Sequence, residues 1–287
     1  MQIFTNPNEL SAQCREWKKA GDDIALVPTM GYYHSGHERL MERGRELAKR
    51  LVVSLFVNPA QFGPGEDLDA YPRNFERDRD IAVSHGADAL FAPSPEDFYQ
   101  PDHSTWVEAP ALAANLCGAS RPTHFRGVCT VVLKLFLVTQ ADVAVFGQKD
   151  WQQQAIIRRM ARDLNIPTRV ETVPTEREPD GLAMSSRNVY LTAEERKIAP
   201  NLRKGLELAF ELASQGETDA GRLLAAVREY WKRNLPGAEI DYLSLVHPEN
   251  LRELPEIEDA GLLACAVKLG KARLIDNILL KRRQYAQ

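Results

Sequence analysis

His34 and His37 are the residues of this 287-residue chain whose type and spacing most clearly indicate chemistry. They follow an apolar run at residues 24–27, which predicts a strand, and they lie where a helix would begin. Ligands of open α/β sheets bind beyond the carboxyl ends of the strands, and a helix N-terminus offers N–H groups to an anion. Gly31 and Gly36 allow a tight turn and the close approach of a ligand. We therefore predict that the two imidazoles contact a polyphosphate.

The histidine pair has two less specific interpretations. It would bind zinc only with one or two further ligands, and no cluster of Cys or His lies near it in the sequence. It would also fit an ordinary polar turn at the protein surface. The motifs that follow favour the polyphosphate interpretation over the surface turn.

Neutral amides follow the next apolar run, at residues 51–57. Asn58 and Gln61 each donate and accept hydrogen bonds without being ionised, which suits the recognition of hydroxyl and carboxylate groups. The alternative is a turn in which Asn58 caps its own backbone before Pro59. The loop is therefore a candidate for binding a small polar substrate.

Three further segments carry cationic or hydroxyl side chains that suit phosphate. They are residues 121–127 with Arg121, His124 and Arg126, residues 146–153 with Gly147 and Lys149, and residues 180–188 with Ser185, Ser186 and Arg187. The first two segments precede predicted helices, where anions are favoured, and serine hydroxyls beside a cation suit a triphosphate leaving group. Each has a structural alternative: arginines pairing with surface carboxylates, Asp150 and Gln153 capping a helix, and a plain linker.

The elements that must position these motifs alternate between strands and helices. Buried parallel strands are predicted from short apolar runs at residues 24–27, 51–57, 87–91, 143–146 and 170–173. The clearest intervening helix is predicted at residues 127–137. We therefore predict a doubly wound, Rossmann-like parallel sheet in an N-terminal domain of residues 1–175.

A different pattern follows in residues 176–287. Thr192 and Glu195 fit a capping box, which predicts a long amphipathic helix through about residue 212. A second helix is predicted at about residues 218–234, and strands at residues 240–246 and 262–268. This segment is predicted to form a smaller α+β domain.

The composition excludes several classes of function. A formal charge of −4 and a pI near 5.9 argue against a general nucleic-acid or membrane surface. The four cysteines are scattered and the N-terminus lacks a signal-peptide pattern, so we expect a cytoplasmic protein. No apolar run reaches the roughly 18 residues of a transmembrane helix.

Several strings resemble a known family. His34-Ser35-Gly36-His37 is similar to the HxGH signature of the nucleotidyltransferase superfamily, which includes class I aminoacyl-tRNA synthetases. In order and along essentially the entire chain, a longer set resembles the pantothenate synthetase (pantoate–β-alanine ligase) family: PTMGYYHSGH, FVNPAQFGPGEDLDAYPR, GASRPTHFRGVCTVVLKLF, VFGQKDWQQ, DGLAMSSRNVYLT and ARLIDN.

The resemblance implies an ATP-dependent, two-step reaction. Pantoate carboxylate attacks the α-phosphorus of ATP, and β-alanine then attacks the acyl carbon of pantoyl-adenylate, which gives pantothenate, AMP and pyrophosphate. A carboxylate is already ionised at neutral pH, so positioning and charge stabilisation suffice without an acid–base dyad. The alternatives are a related adenylyl- or cytidylyltransferase and a non-catalytic nucleotide-binding protein. The family's reaction belongs to vitamin B5 and coenzyme A biosynthesis.

Residue roles also follow from the resemblance. The expected catalytic residues are His37, nearest the developing charge, with His34, Lys149 and Arg187. The expected ATP-binding residues are Met30, Gly31, His34, His37, Gly147, Lys149, Asp150, Met184, Ser185, Ser186 and Arg187. Gln61 and Gln153 are expected to bind pantoate, and Gln61 also β-alanine. Mg²⁺ is expected to arrive with ATP on the phosphate oxygens, without a dedicated protein site.

The resemblance further implies a homodimer formed through the N-terminal domain, with residues 176–287 closing as a lid over small-molecule substrates. The chain departs from the family pattern at Tyr32-Tyr33, Ala60, Cys117 and Gln148. None of these departures removes a residue expected to touch the reacting groups. Ala60, where the family usually has Met, is expected to enlarge the pantoate pocket.

Overall fold

The structure, a computed structural model, describes residues 1–282 and divides into two units. Unit 1 comprises Met1–Ala111, Arg121–Gln148 and Ile156–Pro174, and unit 2 comprises Leu112–Ser120, Lys149–Ala155 and the chain from Thr175 onward. The last five residues of the predicted lid domain lie outside the described residues. Within residues 1–282, no helix is long and apolar enough to cross a membrane.

Unit 1 is built on a six-stranded parallel sheet within the described residues. Its strands are β1 (Gln2–Phe4), β2 (Ile24–Thr29), β3 (Arg50–Leu55), β4 (Ala89–Phe91), β5 (Val143–Gly147) and β6 (Arg169–Val173). The order is β1-β4-β3-β2-β5-β6, so the chain proceeds from β2 through β3 to β4 and returns to β5 on the other side of β2. In sheets with such a reversal, ligands bind beyond the carboxyl ends of the strands on either side of it, here β2 and β5.

Helices connect these strands. They are α1 (Pro7–Lys19), α2 (Ser35–Leu47), α3 (Phe75–Ser84), α4 (Pro95–Phe98), α5 (Pro110–Ala113), α6 (Cys117–Ser120), α7 (His124–Thr139) and α8 (Trp151–Asp163), with short 3-10 helices at Pro59–Gln61 and Gln148–Asp150. The central strands are buried along most of their length, as is typical of parallel sheets, whose two faces are covered by helices. The predicted doubly wound fold is confirmed, and β1 is an additional edge strand.

The predicted start of helix α7 is wrong. The helix begins at His124 rather than near Gly127, which lies inside the first turn. A Cβ at Gly127 would collide with the carbonyl oxygen of Ala60. This glycine therefore allows the helix to pack closely against the 3-10 helix at Pro59–Gln61, and it does not mark a helix boundary.

Unit 2 places helices against a small antiparallel sheet. Its elements are α9 (Ala193–Ile198), α10 (Asn201–Ser214), α11 (Ala220–Asn234), β7 (Glu239–Val246), β8 (Ala260–Leu269) and β9 (Ala272–Lys281), with a 3-10 helix at Ser186–Tyr190. The sheet order is β7-β8-β9, and leucines and valines of these elements form the core. The predicted α+β class is confirmed.

Local predictions in unit 2 were partly right. Thr192 and Glu195 form the predicted reciprocal capping box at the start of α9. The single long helix predicted after them is wrong, because Pro200 separates α9 from α10 and a proline cannot donate the backbone hydrogen bond that a continuous helix needs. Strand β9 was not predicted, since buried Asp276 and Asn277 interrupt its apolar pattern.

Candidate active site

The two predicted histidines form the N-terminus of helix α2. The His34 ring accepts at Nδ1 from the backbone N–H of Gly36 at 3.2 Å, and the His37 ring accepts at Nδ1 from the backbone N–H of His34 at 3.3 Å. The ring centroids lie 4.1 Å apart. A neutral imidazole that accepts at Nδ1 carries its proton on Nε2, so both rings present an Nε2–H donor. Helix capping therefore selects the tautomer of both side chains.

A buried carboxylate holds the loop that leads into this helix. Asp78, on α3, accepts the backbone N–H groups of Tyr32 at 2.6 Å and Tyr33 at 2.8 Å, and it is 1% exposed. Gly31 and Tyr32 both have positive φ, 87° and 53°, which is uncommon for tyrosine. The two hydrogen bonds stabilise this unfavourable backbone. Asp78 therefore fixes the position at which the histidine helix begins.

Asp78 is a supporting residue of the candidate site that the sequence reasoning missed. An acidic residue in the first turn of a helix is explained by the helix dipole alone. Its contact with Tyr32 and Tyr33 depends on how α3 packs in the folded unit, and no local pattern in the sequence records that packing.

The amide of Asn58 is fully satisfied inside unit 1. Its Oδ1 accepts from the backbone N–H of Ala60 at 3.3 Å and from the Tyr99 hydroxyl at 3.0 Å. Its Nδ2 donates to the backbone oxygen of Gly127 at 3.2 Å and to Gln61 Oε1 at 3.1 Å. The capping alternative for Asn58 is thus observed. Because a backbone N–H only donates and a backbone oxygen only accepts, these contacts determine which way the amide points.

The orientation of Asn58 determines that of Gln61. Gln61 Oε1 accepts from Asn58, so the side chain presents its Nε2 donor, which lies 3.0 Å from the sulfur of Met30. Met30 follows β2 and Gln61 follows β3, and these strands are neighbours in the sheet. The nucleotide motif and the amide motif therefore meet, and Gln61 offers a donor that suits a carboxylate.

The arginines of residues 121–127 bind carboxylates, as their structural alternative predicted. Arg121 forms an ion pair with Glu66 at 2.5 Å, and Arg126 lies 3.8 Å from Glu108 and 4.9 Å from the ring centroid of Trp106. Although burial raises the pKa of Glu66, the Arg121 guanidinium brings it below its usual value. These arginines therefore have structural partners within unit 1.

Lys149 is one of two candidate phosphate-binding cations in unit 2, together with Arg187. Its Nζ donates to the backbone oxygen of Met184 at 3.1 Å. Burial lowers the pKa of Lys149, and the charge of Arg187 lowers it further, whereas Asp150 and Asp276 raise it. A poorly solvated ammonium suits an anionic ligand, because an anion would compensate its buried charge.

The serine segment follows a closed turn in unit 2. The backbone N–H of Met184 donates to the oxygen of Glu176 at 3.0 Å, which closes the turn before the serines. Ser185 caps the next 3-10 helix by accepting from the backbone N–H of Arg187 at 3.2 Å, and Ser186 is buried. Capping explains part of the Ser-Ser-Arg sequence independently of any ligand.

The structure groups the predicted site residues by unit. Unit 1 carries Met30, Gly31, His34, His37, Gln61 and Gly147, and unit 2 carries Lys149, Asp150, Gln153, Met184, Ser185, Ser186 and Arg187. In unit 1 they lie at the carboxyl ends of β2, β3 and β5. Within residues 1–282, no three His, Cys, Asp or Glu side chains come together in a way that could hold a metal ion.

The fold and the histidine pair together define a doubly wound α/β protein with an HxGH motif at the N-terminus of α2. A family model described as pantoate-β-alanine ligase matches residues 2–279 of the chain. The chain therefore belongs to the pantoate-β-alanine ligase family, and the predicted family and enzyme class are confirmed.

Relatives and solved structures agree with this assignment. Pantothenate synthetase of Desulfovibrio desulfuricans is 68% identical over 280 residues, covering 98% of this chain and 99% of that protein. A crystal structure of pantothenate synthetase from Thermus thermophilus has a TM-score of 0.91 at 46% identity, covering 97% and 99% of the two chains. Pantoate-β-alanine ligase from Francisella tularensis, complexed with β-γ ATP and β-alanine, has a TM-score of 0.79 at 32% identity, covering 97% of each chain.

Proposed function

We propose that this protein condenses pantoate with β-alanine to form pantothenate, at the expense of ATP and through pantoyl-adenylate. The observation that carries the proposal is the histidine pair at the N-terminus of α2, whose capping bonds leave both rings with an Nε2–H donor. Such donors stabilise negative charge on phosphate oxygens. The nucleotide and β-alanine bound by the Francisella tularensis relative are in keeping with it.

The first step transfers an adenylyl group. A pantoate carboxylate oxygen forms a bond to the α-phosphorus of ATP, the bond from that phosphorus to the bridging oxygen breaks, and pyrophosphate leaves with the electron pair. The carboxylate is already ionised at neutral pH, so no base is needed. The protein then works by alignment and by stabilising the charge on the phosphates. Mg²⁺ bound to the phosphate oxygens would neutralise part of the same charge.

The second step is acyl transfer. The neutral amine of β-alanine attacks the acyl carbon, the bond from that carbon to the adenylate oxygen breaks, and AMP leaves with the electron pair while the nitrogen loses a proton to solvent. AMP is a good leaving group because its phosphate carries the developing charge. No strong acid is therefore required of the protein.

The phosphate contacts are assigned to two histidines, a lysine and an arginine. His37 and His34 donate from Nε2, with His37 nearest the developing charge, and Lys149 and Arg187 supply positive charge. The remaining assigned ATP-binding residues are Met30, Gly31, Gly147, Asp150, Met184, Ser185 and Ser186. The pKa of Lys149, lowered by burial, supports this role, because a bound polyphosphate would compensate the poorly solvated ammonium.

Pantoate is assigned to Gln61 and Gln153, with Gln61 also meeting β-alanine. The Nε2 donor of Gln61, whose orientation is set by Asn58, suits the pantoate carboxylate or a hydroxyl oxygen. Gln153 is half-buried at the start of α8. The proposal also includes a cytoplasmic homodimer, with a nucleotide-binding domain of residues 1–175 and a lid domain of residues 176–287.

Product analysis tests the proposal. Incubation with ATP, Mg²⁺, pantoate and β-alanine is expected to give pantothenate, AMP and pyrophosphate in equal amounts. ADP and phosphate would instead indicate an acyl-phosphate ligase. ATP binding without any product would indicate a nucleotide-binding protein that has lost catalysis, and a stable nucleotidyl product would indicate an adenylyl- or cytidylyltransferase.

A further inference from the structure

Asp276 and Asn277 are two adjacent polar residues of β9 that the proposed reaction leaves without a role. They end the string ARLIDN and are 2% and 8% exposed. Burying a carboxylate and an amide is unfavourable unless each forms hydrogen bonds, so their contacts indicate what they stabilise. β9 is an edge strand of the described sheet, and its outer side is available for contacts with other segments of unit 2.

Asp276 holds the turn that precedes the serine segment. Arg177 donates to both carboxylate oxygens of Asp276, at 2.8 and 2.9 Å, and also to the backbone oxygen of Gly181 at 3.1 Å. The closing hydrogen bond of this turn runs from Met184 to Glu176. The bidentate ion pair therefore attaches the turn that leads into Ser185, Ser186 and Arg187 to β9.

Asn277 holds the segment that carries Lys149. Its Nδ2 donates to the backbone oxygen of Lys149 at 2.9 Å, and its own backbone N–H donates to Asp276 Oδ1 at 2.8 Å. The Nζ of Lys149 in turn donates to the backbone oxygen of Met184. Two segments distant in sequence, each with a candidate phosphate-binding cation, are thus attached to neighbouring residues of one strand.

We propose that Asp276 and Asn277 are positioning residues for nucleotide binding, which set the spacing between Lys149 and the Ser185–Arg187 segment before ATP arrives. The inference rests on the proposed function. The ion pair of Asp276 with Arg177 and the hydrogen bond from Asn277 to the backbone oxygen of Lys149 fix the backbone of both segments. Fixing the cations in advance lowers the cost of ordering them when the polyphosphate binds.

Asn277→Ala tests the inference, because it should change the KM for ATP and leave the KM for pantoate nearly unchanged. The variant removes the hydrogen bond to Lys149, and we expect the KM for ATP to rise on the order of 10-fold, the equivalent of about 1.4 kcal/mol. The KM for pantoate should stay within about twofold. The matched control is Asn234→Ala, which removes an amide bond of the same length, 2.9 Å, to the backbone oxygen of Tyr230 in the same unit. The control should leave both KM values unchanged.

A double variant shows whether Asn277 acts through Lys149. If it does, adding Asn277→Ala to a Lys149→Ala protein should change the KM for ATP by less than about twofold, because contacts that share a partner are not additive. Wild-type ATP kinetics in a folded Asn277→Ala protein would overturn the inference, and so would equal increases in both KM values or full additivity in the double variant. Failure of the wild-type protein to form AMP and pyrophosphate would refute the proposed function instead.

Discussion

Replacing Asp78 by Asn should impair the nucleotide motif without touching any proposed ligand contact. Asp78 accepts the backbone N–H groups of Tyr32 and Tyr33 and is almost fully buried. Asparagine has nearly the same volume but only one oxygen. One of the two N–H groups would then face an NH₂ group, which cannot accept a hydrogen bond.

The size of the effect follows from the number of hydrogen bonds lost. Losing one hydrogen bond to a charged group costs about 1.5–3 kcal/mol, and the bond that remains becomes a weaker, neutral one. If this free energy is lost from the positioning of the loop before His34, kcat/KM for ATP should fall roughly 10- to 150-fold. Any part lost from global stability should instead lower the midpoint of thermal unfolding.

Initial rates at varied ATP, with pantoate and β-alanine saturating, measure this effect, and thermal unfolding is recorded on the same preparations. The matched control is Asp80→Asn on the same helix, because the Asp80 side chain is 68% exposed and pairs with Arg79 at 2.8 Å. The control should behave as the wild-type protein. A folded Asp78→Asn protein with wild-type kcat/KM for ATP would refute the idea that this carboxylate positions the histidine helix.

Three further predictions concern the two pantoate glutamines, the titration of Lys149 and the packing at Gly127. Replacing Gln61 or Gln153 by Leu should cost roughly 1–3 kcal/mol in pantoate recognition with little change in ATP affinity by calorimetry, and unchanged pantoate kinetics in both variants would contradict the assignment. Lys149 has a pKa lowered from 10.5 by burial, so ATP binding should weaken as pH rises through that lowered pKa, and Lys149→Arg should move this loss to higher pH in an affinity profile. Between this lowered pKa and 10.5, the unfolded chain binds more protons at Lys149 than the folded chain does. The free energy of unfolding should therefore rise with pH in this range. Gly127→Ala should lower stability by about 1–3 kcal/mol in denaturant unfolding, because its Cβ would collide with Ala60, and wild-type stability would exclude that packing.

The sequence was sufficient for the parts of the fold that local pattern determines. Buried parallel strands read as continuous apolar runs, and the histidine motif lies where β2 ends, so the sheet class could be predicted. The first and last residues of the helices and strands were harder to predict from the sequence. Gly127 suggested a helix start, although it serves close packing against another segment, and nothing local to a glycine distinguishes the two uses.

The local sequence pattern could not identify the residues that hold the candidate site in shape. Asp78 accepts hydrogen bonds from Tyr32 and Tyr33, and Asn277 donates to Lys149, across long separations in sequence. A buried Asp in a helix and a buried Asn in a strand look like ordinary polar residues until their partners are known. Residues that present chemistry could therefore be proposed from the sequence, whereas residues that position them required the fold.

Exchange of labelled pyrophosphate into ATP tests the central claim most directly, because only a reversible adenylation of pantoate would support it. The reaction contains ATP, Mg²⁺, pantoate and labelled pyrophosphate, and β-alanine is left out. We predict pantoate-dependent exchange, with a loss on the order of 10²-fold in His37→Ala, about 3 kcal/mol of charge stabilisation. An exchange reaction that strictly requires β-alanine would contradict an independent adenylation step, and exchange at the wild-type rate in His37→Ala would contradict the role assigned to the histidine pair.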